Sequence, residues 1–496
     1  MGTAKGRGKP GRARSEAWAS EQLAEVGCGD PRQLRRLHAV ASGLHRSPGA
    51  SVPEALVDWA EVKGAYRLAE SEVFSERDVL ASHAAATVRR LRATPAVRHV
   101  LVAQDTTSLN YADRPGTTGL GPIGNNAERT LGLFAHAQLC LDADTGTAFG
   151  LLGAELWARD PAKFKRSPAG ARNRQPLAEK ESYRWLAGYQ AAQRLAATLG
   201  AGTTVTSVAD REGDIYELFA AWQDTTSAGG PAAQLLIRAQ HNRALAADEL
   251  RSHDAVRASP VQASVTVEVP AAPGRKARSA TLAVRFGRVT LQPPAHREKM
   301  QPPSPPLPAV TLSLVIATEP APPPGEPPLE WILWCSQPVT DATAALERLA
   351  HYRWRWQIEV LHRILKTGCR TEERQFTTAT RLKLFLALDL MIAVYLLGLT
   401  HAARRDPRAP AAGWFSAPEQ AALCRHASRP CTAPALPSPL DLHTAMRLLG
   451  LLGGHLGRTH DGMPGPQCLW RGLRRLSDLT LSSFPDPSPE SPPTCG

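Results

Sequence analysis

Between residues 100 and 239 the sequence alternates between strand-like and helix-like patterns, and this order restricts the possible folds more than any other feature. The strand-like runs are short and apolar, and the helix-like runs are longer and amphipathic. In chain order they are strands at 100–103, 133–141 and 147–152, a helix at 177–199, a strand at 203–209, a helix at 214–222 and a strand at 235–239. Residues 142–146, Asp-Ala-Asp-Thr-Gly, predict a hairpin turn. This order predicts an α/β domain.

Two of the predicted strands are followed by an aspartate. Asp105 comes shortly after the run at 100–103, and Asp210 directly follows the run at 203–209. In α/β sheets, ligands bind preferentially beyond the carboxyl ends of the strands. The positions of Asp105 and Asp210 therefore predict two metal-binding or catalytic carboxylates.

Other interpretations of these aspartates stay open. Either could have a purely local role, Asp105 in an Asx turn and Asp210 as a helix N-cap. Nearby carboxylates are also possible ligands on charge alone. The alternatives are Asp113 in place of Asp105, and Glu212 or Asp214 in place of Asp210.

The segment 352–366, YRWRWQIEVLHRILK, predicts an amphipathic helix with a single carboxylate among cations. At 100° per residue, one face is apolar and spans about 60°. It carries Trp354, Ile358, Leu361 and Leu365. The opposite face carries Tyr352, Arg355, Glu359 and Lys366, with Arg363 beside them. Lysine and arginine bind phosphate, and a metal ion between the carboxylate and the phosphate would explain Glu359. An exposed, salt-bridged face is the simpler alternative.

Asp105, Asp210 and Glu359 together form a candidate set of metal ligands. Magnesium prefers oxygen ligands and keeps water molecules that substrate phosphate can replace. Two such ions about 3.5–4 Å apart can hold both the attacking and the leaving oxygen of a phosphoryl transfer. We therefore predict a site for two Mg²⁺ ions, with Mn²⁺ as a substitute.

The charge of the chain favours a polyanionic partner. Its 496 residues carry a formal net charge of +12, and the pI is about 9.6. Residues 1–15 predict a disordered basic arm, and residues 16–93 predict a helical unit with the basic helix that carries Arg32, Arg35 and Arg36. DNA binding or a plain helical subdomain would both fit this unit.

The eight cysteines include no CxxC pair, which favours reduced thiols in a cytosolic protein. Cys424, His426 and Cys431 have poor spacing for zinc. No apolar leader precedes the helical unit, and the apolar run at 384–399 is interrupted by Asp389. This run predicts a buried core helix rather than a membrane span.

The rest of the chain predicts three further regions. Residues 240–340 are rich in β-forming residues and proline, with strands at 265–269, 281–284, 288–291, 312–317 and 331–335 and extended loops at 302–308 and 320–328. Residues 377–484 predict a helical C-terminal domain, and residues 485–496 a disordered tail. The helical pattern resumes at residue 341, so that region 240–340 is an insertion.

Several motifs resemble those of bacterial DDE transposases of the insertion-sequence-four family, in particular its Tn-five-like members. Residues 104–109, QDTTSL, resemble the segment with the first catalytic aspartate, and residues 209–215, ADREGDI, the segment with the second. Tyr352, Arg355, Glu359 and Lys366 match the pattern Y-x-x-R-x-x-x-E-x-x-x-x-x-x-K without a gap. Residues 456–458 and 461–473 are similar to the C-terminal part of the family, and residues 29–32 and 64–67 to its N-terminal part. The similarity extends from about residue 16 to 484.

The resemblance implies an RNase H-like mixed-sheet catalytic core at 94–239 and 341–376, with the β-rich insertion between the second aspartate and the glutamate. Helical N-terminal and C-terminal domains would flank it, the latter for dimerisation. It implies cut-and-paste transposition of double-stranded DNA by a homodimer in the bacterial cytoplasm, associated with the nucleoid. Water nicks one strand, the 3′-OH forms a hairpin on the other strand, water reopens it, and the 3′-OH joins target DNA.

The resemblance also assigns roles to individual residues. Asp105, Asp210 and Glu359 would be the catalytic metal ligands, and Tyr352, Arg355 and Lys366, together with Arg363, would contact phosphate. Trp331 would stack on a flipped base during hairpin formation. Trp334 points to the opposite face of a regular strand, so that only one of the two can face DNA.

Two alternative functions stay open at this stage. One is a catalytically decayed or inhibitory DNA-binding copy, and the other is a metal-dependent nuclease on the same fold. The complete carboxylate triad disfavours the first, and the phosphate-binding helix with Trp331 disfavours the second.

Overall fold

The computed structural model describes residues 13–56, 58–124, 130–162, 175–269, 276–295, 305–427, 437–458 and 461–482. Most of the predicted basic arm, the predicted tail at 485–496, Cys431 and part of the loop at 302–308 lie outside these residues. Residues 13–15, which we assigned to the arm, instead begin the first helix. No disulfide joins the cysteines within the described ranges.

Five helices form the N-terminal unit. They are α1 (Ala13–Gln22), α2 (Pro31–Arg46), α3 (Val52–Ala55), α4 (Trp59–Ser71) and α5 (Glu76–Arg92). Local sequence fixes where they begin. Asp30 caps α2 by accepting a hydrogen bond from the backbone N–H of Arg32, and Pro31 occupies the first turn. Ser75 and Asp78 form the predicted capping box of α5.

Ten strands within the described residues form one large mixed sheet. They are β1 (His99–Asn110), β2 (Gly121–Pro122), β3 (Leu131–Asp142), β4 (Ala148–Trp157), β5 (Thr204–Ala209), β6 (Gln234–Arg238), β7 (Ala263–Val269), β8 (Arg278–Leu291), β9 (Val310–Thr318) and β10 (Glu330–Cys335). Their order is β2-β3-β1-β5-β6-β10-β9-β8-β7, and β4 also pairs with β3. The pairs β1–β5 and β5–β6 are parallel, and the other pairs are antiparallel.

Both faces of the central part of this sheet are covered, because alternate residues of β1, β5, β6, β9 and β10 enter different apolar clusters. On β1, Val100 and Val102 belong to the cluster that includes side chains of α6 (Tyr183–Leu199) and α7 (Tyr216–Ser227), whereas Leu101 and Ala103 belong to the other cluster. The second cluster includes side chains of α9 (Ala342–Arg353), α10 (Trp356–Arg363) and α11 (Ala379–Arg405). A strand buried on both faces reads as a continuous apolar run, as residues 100–103 do.

The β-rich insertion continues the sheet instead of forming a separate layer. Strand β10 pairs with β6, and β9, β8 and β7 follow in order, with the short helix α8 (Ser252–Arg257) before β7. Our prediction of two strands at 281–284 and 288–291 was wrong, since β8 is one strand. Gly287 does not interrupt it, because Gly287 stays paired with Leu314 and inward-facing residues continue on both sides.

The C-terminal part is helical. After α11 follow α12 (Ala417–Ala427), α13 (Leu442–Leu452) and α14 (Pro466–Ser482). Helix α11 is long and apolar enough to cross a membrane, but 89% of its most apolar stretch of 18 residues is buried inside the protein. Asp389 on this helix is buried in an ion pair with Arg374, at 2.5 Å. The prediction of a core helix at 384–399 is thus confirmed.

Candidate active site

The register of two parallel strands brings Asp105 and Asp210 together. Ala103 of β1 pairs with Val208 of β5, and each aspartate comes two residues later on its chain. Side chains two residues apart point to the same face, and neighbouring strands lie about 4.8 Å apart. The two carboxylates therefore lie side by side, on the face where α10 packs.

The position of Asp105 within its strand differs from our prediction. Strand β1 does not end at Gln104-Asp105 but continues to Asn110 through its antiparallel pairing with β3. Only the parallel pairing with β5 ends at Ala103. Asp105 thus lies just beyond the last residue of β1 that pairs with β5, while its backbone still pairs with β3.

Each aspartate also makes a local hydrogen bond. Asp105 Oδ1 accepts from the backbone N–H of Thr106 at 2.8 Å. Asp210 Oδ1 accepts from the backbone N–H of Glu212 at 2.9 Å and so caps the short 3₁₀ turn Arg211–Gly213. The N-cap role is therefore real for Asp210. One oxygen in such a bond leaves lone pairs for further partners, and the bond fixes the side-chain orientation.

Glu359 of α10 approaches Asp105 through Arg355. One Nη of Arg355 is 3.3 Å from Asp105 Oδ2, and the other is 2.5 Å from Glu359 Oε1. A cationic group thus lies between two carboxylates that come from a strand and a helix. The arrangement suits a positive charge at this point.

The pKa of Asp105 is affected by the charges of both other carboxylates. Burial is the main cause that raises the pKa of Asp105 to about 6, and the charges of Asp210 and Glu359 raise it further, whereas Arg355 acts in the opposite direction. Burial lowers the pKa of Arg355, but Tyr352, Asp105 and Glu359 together raise it above its usual value. Such mutual shifts are typical of functional clusters of charges.

The segment 352–366 is not the single helix that we predicted. Helix α9 ends at Arg353, Trp354 and Arg355 form a tight turn, and α10 begins at Trp356. Residues Ile364–Gly368 then form a π-helical turn that contains Lys366. The backbone N–H groups of Trp354 and Arg355 bond to carbonyls three residues back, which tightens the helix there.

The two faces of this segment nevertheless have the predicted character. Ile358, Leu361 and Leu365 are fully buried, and Trp354 is half-buried. On the other face Arg355, Glu359 and Lys366 are half-buried, and Arg363 is exposed. Tyr352 differs, since its side chain is buried.

The two tryptophans of β10 have different surroundings. Trp331 is half-buried, and its ring centroid is 6.1 Å from that of Tyr352 in an edge-to-face arrangement. Trp334 is fully buried and packs edge-to-face on Phe219 at 6.0 Å. Of the two, Trp331 is therefore the one near the cationic helix, and Trp334 is a core residue.

The alternative carboxylates are placed differently. Asp214 is buried, pairs with Arg243 at 2.5 Å and accepts hydrogen bonds from the backbone N–H groups of Gln240 and His241. It therefore fixes the loop after β6. Glu212 is exposed. Partial shielding of its carboxyl group from solvent, followed by the charge of Asp210, nevertheless raises its pKa. Asp113 is exposed in the turn after β1.

Sequence reasoning missed Arg238. Ala209 pairs with Ile237, so that Arg238 follows on the strand next to Asp210. Its Nη2 donates to the carbonyl of Glu330 at 3.1 Å, and burial lowers its pKa, with Tyr352 acting in the opposite direction. The available signal was its place at the carboxyl end of a third parallel strand.

The donor set fits a hard divalent cation. The three carboxylates supply oxygen ligands only. The positively charged guanidinium of Arg355 lies between two of them, where a metal ion would lie. Oxygen-only sets of this kind suit Mg²⁺ and Mn²⁺ better than zinc. Asp105, Asp210 and Glu359 are thus the residues that could hold such ions.

The predicted basic residues of the N-terminal unit lie on α2. Arg32 and Arg35 are exposed, and Arg36 is half-buried against α4 near Gly64. Arg14, by contrast, points inward from α1 and pairs with Glu419 of α12 at 2.9 Å. The exposed cations of α2 are available for phosphate.

Residues 15–73 match the family model of the transposase DNA-binding domain. This match covers most of α1 and the helices α2 to α4, including Arg32, Arg35 and Arg36. It supports a transposase, a DNA-processing protein that has DNA as its partner. The matched part ends before β1, so that it does not include the three carboxylates. A DNA-binding domain of this type fits a cytoplasmic protein.

Proposed function

We propose that the protein is a DDE transposase that carries out metal-dependent phosphoryl transfer on DNA at Asp105, Asp210 and Glu359. The observation that carries this proposal is that Asp210, directly after β5, and Glu359 on α10 both act on the carboxylate of Asp105 on β1, while Arg355 contacts Asp105 and Glu359. The transposase DNA-binding match supports DNA as the partner, and in this proposal double-stranded DNA is the substrate.

The strand order supports an RNase H-like catalytic core. Strands β4, β3, β1, β5 and β6 lie side by side in that order, with antiparallel pairing among the first three and parallel pairing among the last three. Asp105 on β1 and Asp210 directly after β5 belong to two neighbouring strands of this order, which supports their assignment as the two catalytic aspartates.

In this proposal the three carboxylates hold two Mg²⁺ ions, with Mn²⁺ as a substitute. Bound ions of this type neutralise phosphate charge and lower the pKa of water or a 3′-OH. The protein orients the ligands through the hydrogen bonds of Asp105 to Thr106 and of Asp210 to Glu212. When DNA binds, Arg355 exchanges its carboxylate partners for phosphate oxygens, with which guanidinium forms paired hydrogen bonds.

The cationic face of the segment 352–366 binds the DNA strand. Arg355, Arg363 and Lys366 bind phosphates near the reacting bond, and Tyr352 supports Trp331 through the edge-to-face contact. Trp331 stacks on a base that is flipped out of the DNA duplex as the DNA hairpin forms. The spacing of Tyr352, Arg355, Glu359 and Lys366 supports membership of the Tn-five-like branch of the insertion-sequence-four family.

The complete reaction would be cut-and-paste transposition by a homodimer on paired transposon ends in the bacterial cytoplasm, near the nucleoid. The resemblance assigns dimerisation to the helical C-terminal domain, which contains the apolar region 440–452. Within the chain, however, Leu442, Met446 and Leu449 of α13 are already buried. A dimer contact therefore needs other residues, such as the outer faces of the C-terminal helices.

Glu359→Gln tests the proposal directly. This change removes one ligand charge at nearly constant shape, so that strand cleavage of the gene's own flanking DNA in Mg²⁺ should fall by at least about a thousandfold. Binding of the same DNA in EDTA, measured by gel shift, should stay unchanged.

Asp113→Asn is the matched control, because Asp113 is an exposed aspartate on the same strand-and-turn segment as Asp105. It should cleave like the unaltered protein. If Glu359→Gln retained cleavage, the carboxylate assignment would be wrong. If cleavage were absent from the unaltered protein while DNA binding persisted, the decayed-copy alternative would replace the proposal.

A further inference from the structure

A second group of metal-binding side chains lies apart from the three carboxylates. His99 begins β1, and Glu347 and His351 lie one helical turn apart on α9. One ligand atom from each of the three residues lies within 4.8 Å of the others. Two imidazoles and a carboxylate thus converge where the start of the central strand meets the helix.

Contacts within this group leave donor atoms available. The rings of His99 and His351 lie edge to face with centroids 4.6 Å apart. His351 Nε2 is 3.6 Å from Glu347 Oε1, while Glu347 Oε2 is held by Arg348 at 2.7 Å. The side chain of His351 is only 5% exposed, and its Nδ1 has no hydrogen-bond partner. A buried ring nitrogen without a partner costs free energy unless a ligand satisfies it.

The surroundings of His99 are those of a metal-binding histidine. Its Nε2 is 2.8 Å from the hydroxyl oxygen of Thr206 on the neighbouring strand β5. A hydrogen bond from one ring nitrogen fixes the tautomer and the ring orientation, and leaves the other nitrogen as the ligand. Thr206 therefore holds His99 in place for an ion.

Burial disfavours the protonated form of both histidines, and the neutral form is the one that binds metals. Burial lowers the pKa of His99 to about 3, with smaller contributions from His351 and Arg348. Burial and then Arg348 lower the pKa of His351, whereas Glu347 and Asp144 act in the opposite direction. The carboxylate of Glu347 would offset part of the charge of an ion.

We propose that His99, Glu347 and His351 bind one Zn²⁺ ion at a site separate from the carboxylate triad. Two imidazole nitrogens and one carboxylate oxygen form a ligand set that zinc uses with water in the fourth position. Magnesium prefers oxygen ligands alone, so that the two sites select different ions.

The position of this site connects it to the catalytic segment. His99 lies on the strand that carries Asp105, and His351 directly precedes Tyr352 and the turn at Arg355. An ion there would tie β1 to the end of α9, and so fix the approach of the helix that bears Glu359. The ion would thus link a strand and a helix of the core through three protein ligands and keep one position for water.

The test is zinc binding by the full-length protein, freed of metal with a chelator and kept in excess Mg²⁺. We expect one Zn²⁺ per chain by elemental analysis, and a midpoint of thermal unfolding that rises with Zn²⁺ concentration. Glu347→Gln and His99→Asn should each weaken Zn²⁺ binding by at least about tenfold. Glu347 is exposed, so that Glu347→Gln should fold normally.

Two further variants make the result decisive. Glu25→Gln is the matched control, since Glu25 is also exposed and paired with an arginine, Arg89. It should bind Zn²⁺ like the unaltered protein, as should the double variant Asp105→Asn with Glu359→Gln. Equal zinc binding by Glu347→Gln and the unaltered protein would overturn the proposal. So would loss of zinc in the double variant, because the ion would then bind at the triad.

Discussion

At the scale of single residues, the central feature is Arg355, which lies between Asp105 and Glu359. Without a cation, three carboxylates in one partly buried place would repel each other. The guanidinium reduces this repulsion, but burial, with smaller contributions from the charges of Asp210 and Glu359, still raises the pKa of Asp105 to about 6. The site therefore carries an electrostatic cost that a divalent ion would relieve.

This cost gives a prediction for Asp105→Asn in metal-free buffer. The folded-state pKa of about 6 lies above the ordinary 3.8, so that the contribution of Asp105 to stability is fully present below about pH 3.8 and is lost as pH rises through 6. Asp105→Asn removes the ionisation. At pH 8 with EDTA, urea unfolding should show the variant to be more stable by about 1–3 kcal/mol, while DNA cleavage is lost.

The advantage of Asp105→Asn should disappear near pH 4, where the native side chain is protonated. Asp113→Asn, at an exposed position, should leave stability unchanged at both pH values. A variant that is less stable than the unaltered protein at pH 8 would mean that Asp105 stabilises the fold.

Some residues of the site could be identified from sequence and others could not. Asp105 and Asp210 follow apolar runs, and Glu359 is conspicuous among cations, so their neighbourhood was predictable. Arg238 was not, because its proximity to Asp210 depends on the register between β5 and β6, which a single sequence does not show. The burial of Tyr352 likewise depends on its packing against Trp331.

At the scale of helices and strands, the sequence predicted correctly those features that depend on interactions within a few residues, such as helix caps. Asp30 and Ser75 begin α2 and α5 as predicted, because capping is a short-range interaction. The segment 352–366 was wrongly predicted to be one helix. Its apolar period continues through the turn at Trp354 and Arg355, so that the pattern gave no sign of the break.

The contact of α5 with α1 and β4 depends on a neutral histidine. His83 is buried, with Nδ1 at 2.7 Å from the side-chain oxygen of Gln22 and Nε2 accepting from the backbone N–H of Leu151 at 3.1 Å. Burial, followed by the charge of Arg90, lowers its pKa to about 3. This contact joins the N-terminal unit to the sheet.

His83 therefore predicts sensitivity to acid. The unfolded chain takes up a proton near pH 6.5 and the folded chain does not, so that stability is lost as pH falls below 6.5. Between pH 7 and 5 the loss from His83 alone should be roughly 2 kcal/mol. In His83→Gln, which is less stable at pH 7, the fall in unfolding free energy between these pH values should be smaller by that amount.

Other buried histidines, such as His136 and His362, titrate alike in both proteins and cancel in the comparison. Urea unfolding at the two pH values is sufficient. An equal loss in His83→Gln and the unaltered protein would show that His83 takes up a proton as readily in the folded chain as in the unfolded chain.

At the scale of the whole molecule, one sheet links the carboxylates to the insertion. Strand β10 with Trp331 pairs with β6, which pairs with the strand before Asp210. The sequence indicated the strands of region 240–340 but not that they extend the same sheet, because partner choice between distant strands depends on tertiary packing. Trp331 is thereby held beside Tyr352 and the cationic segment.

This connection predicts a selective effect of Trp331→Ala. If Trp331 stacks on a flipped base, its loss should slow hairpin formation by roughly five- to a hundredfold, since such stacking contributes about 1–3 kcal/mol. The first nick, which needs no flipped base, should be nearly unchanged. Trp331→Phe retains a ring and should retain most hairpin formation. Both products can be followed on denaturing gels, and equal loss of both would exclude base stacking and favour a simple nuclease.

The central claim is that the carboxylates of this molecule bind the ions that act on DNA, and a change of ligand chemistry tests it most directly. In Asp105→Cys the thiolate binds Mn²⁺ more readily than the harder Mg²⁺. We predict that strand cleavage by Asp105→Cys is undetectable in Mg²⁺ and measurable in Mn²⁺, whereas Asp105→Asn is inactive in both. Cleavage by Asp105→Cys at the rate of the unaltered protein in Mg²⁺ would contradict metal binding at Asp105.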